Sequence, residues 1–156
     1  MNPAPQKAKA YSRKKYAIAL FHLGVELLLL GFLIASGASL WIKGWAEAAS
    51  SQFYVQLAAY YGIFFLYLWV FDLAFGFYSG FLLEHKYALS NQSFAAWLWD
   101  FAKRSLLGFL MTLALVVALY ALIRNFPDRW WIWAWLGFAA AALASAAFLL
   151  LAVVVI

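Results

Sequence analysis

Cysteine is absent from the 156 residues, and disulfides, thiolate nucleophiles and cysteine-based zinc sites are absent with it. Charge is scarce as well: 11% of the residues are charged, whereas a soluble domain carries about 25%. No acidic residue precedes Glu26. There is no G-x-S-x-G, no phosphate-binding loop and no glycine-rich dinucleotide fingerprint. The H-E-x-x-H zinc motif is also missing, because the two histidines, His22 and His85, are followed by Leu23 and Lys86. These residues hold no recognisable active site, and no catalytic residue is assigned.

What fills the space instead is apolar: 69% of the chain is hydrophobic and 21% is aromatic. A globule of this length has too little interior to hide so much apolar surface from water. An ordinary soluble domain, a disordered chain and a disulfide-stapled module are excluded. Lipid is the remaining solvent. Four apolar segments of spanning length lie at about 17–41, 53–83, 105–123 and 130–156. They are far too long for strands, so the expected fold is all-α, a polytopic membrane helical bundle with four transmembrane helices. Residues 1–16 form a basic arm ahead of one membrane domain, and residues 84–104 a helical loop between the second and third helices.

The few charges are unevenly placed. The net charge is +5, and Lys7, Lys9, Arg13, Lys14 and Lys15 crowd the start. Lys86, Lys103 and Arg104 lie in the 84–104 loop, against Lys43, Arg124 and Arg129 on the opposite side. Cytoplasmic loops carry the Lys/Arg excess, so the loop and both termini are expected in the cytoplasm, and a bacterial inner membrane is the expected location. The basic run is a topological signal; single-stranded nucleic-acid binding needs an aromatic-basic platform that the rest of the chain does not offer. Trp41 and Trp45, and then Trp130, Trp131, Trp133 and Trp135, fit the outer interface. The first apolar stretch is too long for a signal peptide and ends in no clear cleavage site, so it reads as a retained helix.

The second segment overshoots the bilayer. At 1.5 Å per residue, about 31 residues reach roughly 46 Å against a hydrocarbon core of roughly 30 Å. It has to tilt, kink near Gly76 and Gly80, or protrude. A Ser or Asn within Ser90–Ser93 caps a following helix with Phe94, Trp97, Leu98 and Phe101 on one face and Asp100, Lys103 and Arg104 on the other. Gly76 and Gly80, and the small residues from Ala139 to Ala147, mark close-packing surfaces, either inside the bundle or in a homodimer.

Ionisable residues inside a membrane are functional candidates by default. His22 and Glu26 share a face of the first helix, and Asp72 lies deep in the second. A carboxylate costs about 2.5–3.5 kcal/mol at a helix centre, and the many Leu, Ile, Val and Phe around Glu26 offset it. An interhelical hydrogen bond and a polar cavity or proton relay both fit. The spacing of His22, Glu26, Glu84 and His85 assembles no zinc ligand set, so no metal and no cofactor is expected in these residues.

The segment Tyr78-Ser-Gly-Phe-Leu-Leu-Glu84-His85-Lys86-Tyr87-Ala-Leu-Ser90-Asn91-Gln92-Ser93, continuing to Trp97, Asp100 and Lys103, resembles the signature ahead of the catalytic domain in integral-membrane CAAX prenyl endopeptidases. Ala88 stands where that family usually has Gly. Tyr11–Tyr16 and Trp130–Trp135 are similar to the family as well. The resemblance implies a wall of an intramembrane chamber, with Glu84, His85, Lys86, Tyr87, Ser90, Asn91, Trp97, Asp100 and Lys103 as structural or interface residues. It places zinc only in a peptidase domain with H-E-x-x-H and a downstream Glu. Here the residues end at Val153–Ile156, so a truncated or standalone membrane part is expected. Its partners would be the bilayer, a peptidase domain or partner chain, or a second copy. A small transporter or channel subunit with a polar path at His22, Glu26 and Asp72 is the alternative, and a purely structural bundle a third reading.

Overall fold

In the computed structural model the chain is helical throughout, with residues 3–155 described and their side chains from 9 to 147. The Lys7 side chain and Ile156 lie outside the described residues. Five helices follow one another: α1 (Pro3–Ala35), α2 (Ala38–Ala49), α3 (Phe53–Lys86), α4 (Phe94–Asn125) and α5 (Trp130–Val155). No strand occurs among the described residues. Four helical stretches are long and apolar enough to cross a membrane: Lys9–Ala35, Phe53–Lys86, Phe94–Asn125 and Trp130–Ala147. That is the number expected, although the boundaries differ in three places.

The basic arm is the first turns of α1. Its Ala, Gln, Lys and Arg are strong helix formers, and prolines are tolerated in a first turn, so the helix starts at Pro3 and runs on without interruption. The same helix stops at Ala35, short of the expected 41. Gly37 takes a left-handed φ of 73°, and its N–H donates to the Ile34 carbonyl at 3.2 Å. Glycine adopts this conformation without the steric cost a side chain brings, and it ends helices for that reason. The chain restarts as α2, whose 12 residues reach only about 18 Å. That is too short to span. Trp41 and Trp45 are exposed on α2, and the helix packs chiefly against α3.

The third difference is the 84–104 loop, which shrinks to residues 87–93. Ser93 is the cap: its carbonyl accepts the Trp97 N–H at 2.9 Å and its hydroxyl oxygen accepts the Ala96 N–H at 3.3 Å. The helix it starts continues unbroken to Asn125, where Pro127 follows.

α3 carries a π-helical stretch, Phe77–Leu82, after which the Leu83 N–H reaches back to the Tyr78 carbonyl. The Ser79 hydroxyl donates to the Phe75 carbonyl at 2.8 Å, a back-bond of the kind that bends helices. The bulge sits where α4 presses on α3. A methyl group added to Gly76 would lie 2.9 Å from Phe101 Cε2, and one on Gly80 would lie 3.3 Å from Trp97 Nε1. The two glycines therefore serve close packing inside this chain. Around them, Phe77, Phe81, Phe94, Phe101 and Trp97 form a ring cluster with centroids 5.4–6.0 Å apart. Trp97 is its buried centre.

Two compact units divide the chain, residues 1–111 and residues 112–156. In the second, Phe126 and Trp133 meet with centroids 5.7 Å apart across the turn into α5. Only Leu33, Ala46, Leu83 and Trp97 are buried among the described residues, while Leu20, Leu28, Phe32, Leu107 and Phe138 stand open. So small a core cannot hold a fold in water, and the exposed side chains are the surface that acyl chains cover.

Gly76→Ala sets overpacking of about 1–3 kcal/mol against a helix-propensity gain of about 0.5–1 kcal/mol. It should lower the unfolding temperature in detergent. Gly108→Ala, with nothing within 4 Å of the added carbon, should leave that temperature unchanged or raise it. Equal effects at the two sites would contradict the packing role.

Candidate functional site

α1 and α3 run antiparallel, and three polar contacts join them. Near the start of α1, Lys15 Nζ lies 3.6 Å from Glu84 Oε1. Seven residues on, His22 Nε2 lies 2.9 Å from Asp72 Oδ1. Seven further, the Tyr67 hydroxyl donates to the Leu29 carbonyl at 3.1 Å. Seven residues are two helical turns, so Lys15, His22 and Leu29 share one face of α1.

The middle contact holds the three intramembrane candidates together. Glu26, one turn beyond His22, brings Oε1 to 3.7 Å from the same Nε2. One ligand atom each from His22, Glu26 and Asp72 lie within 4.8 Å of one another. His22 sits midway along the Lys9–Ala35 span and Asp72 near the middle of Phe53–Lys86, so the three groups belong to spanning segments. The His22 ring also packs on Phe75, centroids 4.4 Å apart. An open cleft of about 430 Å³ adjoins the triad and reaches Ser79, Phe101 and Ser105. The expectation that no ligand set assembles weighed His22 and Glu26 with Glu84 and His85, which lie elsewhere; the structure brings Asp72, fifty residues from His22, beside the first two instead. The three groups gather at one depth, whereas a polar path across a membrane needs them in series.

The signature segment closes the same seam at its end. α3 terminates in a Schellman motif: the Leu89 N–H donates to the Glu84 carbonyl at 2.9 Å and the Ala88 N–H to the His85 carbonyl at 3.0 Å. The Tyr87 ring meets Tyr11 edge-on at 5.3 Å, and Lys14 Nζ lies 5.8 Å above it. Lys15 Nζ donates to the Tyr11 hydroxyl at 2.9 Å as well as pairing with Glu84. His85 Nδ1 is 2.8 Å from the Phe81 carbonyl, which fixes its ring against Phe81. Lys86 and Asn91 are exposed. The Ser90 hydroxyl oxygen accepts the Gln92 N–H at 3.2 Å. Gln92 Nε2 in turn donates to Asp100 Oδ2 at 2.6 Å, and Lys103 Nζ lies 2.7 Å from Asp100 Oδ1.

Glu84, Tyr87, Asp100 and Lys103 thus tie α1, the end of α3 and the start of α4 into one corner around Trp97. Sequence reasoning missed Gln92, Lys15 and Tyr11 as their partners. The tyrosines between the basic residues of α1 were the available signal.

Comparison with known proteins follows the same boundaries. A family model described as CAAX prenyl protease N-terminal, five membrane helices, matches residues 3–155. A Bacillus subtilis (strain 168) protein named "Uncharacterized metalloprotease YhfN" is 30% identical over 131 residues, which is 83% of this chain and 30% of that protein. The chain thus spans less than a third of the length of that curated relative. No solved structure matches it.

Ala88 has a φ of 55°, the one described non-glycine residue in the left-handed region. Holding an L side chain there costs about 1–2 kcal/mol, while glycine returns about 0.4–1 kcal/mol through its freer unfolded chain. Ala88→Gly is therefore expected to raise the unfolding temperature and Ala88→Val to lower it, both read by thermal unfolding in detergent. A loss of stability in Ala88→Gly would contradict the cap.

Proposed function

The chain belongs to the family of CAAX prenyl protease N-terminal membrane domains, and from that premise we propose that it is a non-catalytic membrane domain that scaffolds, or forms part of the chamber wall for, a zinc peptidase module. One observation carries this reading: the family match covers residues 3–155, yet those residues contain no H-E-x-x-H. The family's zinc site needs two histidines on one helix turn with a neighbouring Glu, and His22 and His85 lie on different helices.

The docking face is the corner built by the signature. An open groove of about 510 Å³ there is lined by Gly80, Glu84, Gln92, Trp97, Asp100 and Lys103, with polar groups at its rim. A peptidase domain or partner chain would rest on this rim with the bilayer around the helices. Gly76 and Gly80 are already occupied by Phe101 and Trp97, which supports packing within the chain over a homodimer through that motif. The Lys/Arg bias supports a cytoplasmic loop, and four spans support termini on one side, in a bacterial inner membrane.

Two measurements test this. The purified chain in lipid nanodiscs should not cleave a prenylated CAAX peptide, and hydrolysis above the buffer rate would end the non-catalytic reading. Because the chain has no native cysteine, Asn91→Cys gives a clean topology probe. An impermeant maleimide should label it only after cells are opened, and labelling of intact cells would overturn the orientation.

A further inference from the structure

We propose that His22, Glu26 and Asp72 form a divalent-cation site within the membrane, with one imidazole nitrogen and two carboxylate oxygens as ligands. The site uses no part of the H-E-x-x-H motif and stands whether or not the scaffold reading does.

Geometry is the first argument. Ligands about 2.1 Å from a four-coordinate zinc ion are roughly 3.4 Å from one another. His22 Nε2 lies 2.9 Å from Asp72 Oδ1 and 3.7 Å from Glu26 Oε1, and all three ligand atoms fall within 4.8 Å. The two His22 separations bracket the required value, and Glu26 and Asp72, within 4.8 Å of each other, close on an ion by side-chain rotation. Three protein ligands and one open position is the arrangement of an accessible zinc site. The open cleft beside the triad leaves room for a water as the fourth ligand.

Charge is the second argument. Metal ligands are deprotonated, so two carboxylates and an imidazole as ligands would carry −2, which one divalent cation cancels. A mid-bilayer carboxylate is costly, and a neutral complex removes most of that cost. The other cation at the cleft, Lys15, is held by the Tyr11 hydroxyl and by Glu84. Among the described residues no Lys or Arg pairs with Glu26 or Asp72. The mixed imidazole and carboxylate donors suit zinc, manganese or iron(II), and the absence of thiolate disfavours copper(I).

The third argument is support for the ligands. The His22 ring is packed on Phe75, and Tyr67 holds α1 against α3 two turns further along. The ligand-bearing faces are thus aligned before any ion binds.

The test uses the full chain, stripped with EDTA and reconstituted in nanodiscs of zwitterionic lipid, with zinc as the probe. Calorimetry and metal analysis after desalting should give one zinc per chain. His22→Ala, Glu26→Gln and Asp72→Asn should each weaken binding at least about 100-fold, since even outer-shell changes cost 10–100-fold. Glu47→Gln, at the exposed Lys43 pair on α2, should bind as the wild type does. Should a triad variant fold poorly, cobalt(II) with the wild type provides a second readout. Visible d–d bands that EDTA abolishes and that persist in His85→Ala support the site, because His22 is then the one remaining imidazole. Wild-type protein that retains no zinc, or zinc bound equally by Glu26→Gln and Asp72→Asn, overturns the proposal. Cobalt bands lost in His85→Ala would overturn it too.

Discussion

The His22–Asp72 hydrogen bond is the contact on which the first unit is organised, because it settles where two helices must meet and at what depth. A carboxylate at the middle of a bilayer has no water to turn to, and its cost falls on the protein until a donor is supplied. His22 Nε2, 2.9 Å from Asp72 Oδ1, is placed to supply one in the tautomer that carries its proton there. Once that pair is fixed, the register of α1 against α3 is fixed with it, since a shift by one residue rotates either group out of reach. Lys15 with Glu84 and Leu29 with Tyr67 then fall two turns along α1 on either side of His22. The surrounding apolar residues cannot impose that register, because lipid offers Leu and Phe surroundings as favourable as a helix does.

The other organising centre is aromatic. Gly76 and Gly80 let α4 approach α3 so closely that Phe101 and Trp97 lie over the places where side chains would be. Trp97 is buried as a result, in a molecule where few residues are. The π stretch Phe77–Leu82 carries part of this packed face and leads on to the Schellman turn at Ala88. Polar seam and aromatic corner meet at Glu84, which pairs with Lys15 on one side and lends its carbonyl to the turn on the other. The family signature therefore marks the place where three helices are joined.

Much of this was legible in the residues, and the parts that were not have physical reasons. Four spans follow from hydropathy alone, and the four-residue spacing of His22 and Glu26 puts them on one face whatever surrounds them. The cap at Ser93 and the crowding at Gly76 and Gly80 were readable from local chemistry. The break at Gly37 was hidden because Ser36-Gly37-Ala38 is apolar enough to pass as helix interior, and hydropathy does not sense a left-handed φ. The helical start of α1 was obscured by its charge, which signals topology and says nothing against helix. That Asp72 joins His22 and Glu26 was not legible. A residue's height and rotation on α3 depend on where the helix begins and on how α1 packs, and one sequence does not carry that pairing. Membership of the protease family and the lack of its zinc motif bear on the role of the whole domain. The triad is a property of these helices themselves.

The central claim is that the His22–Asp72 pair sets the α1–α3 register, and a double-mutant cycle tests it most directly. His22→Ala, Asp72→Ala and the double variant would be compared with the wild type by reversible unfolding in detergent, without added metal. The account predicts a coupling of about 1–2 kcal/mol, above the ~0.6 kcal/mol average for hydrogen bonds between membrane helices because this one joins an imidazole to a carboxylate. Strictly additive losses would contradict it, and would mean that the two helices find each other without this contact.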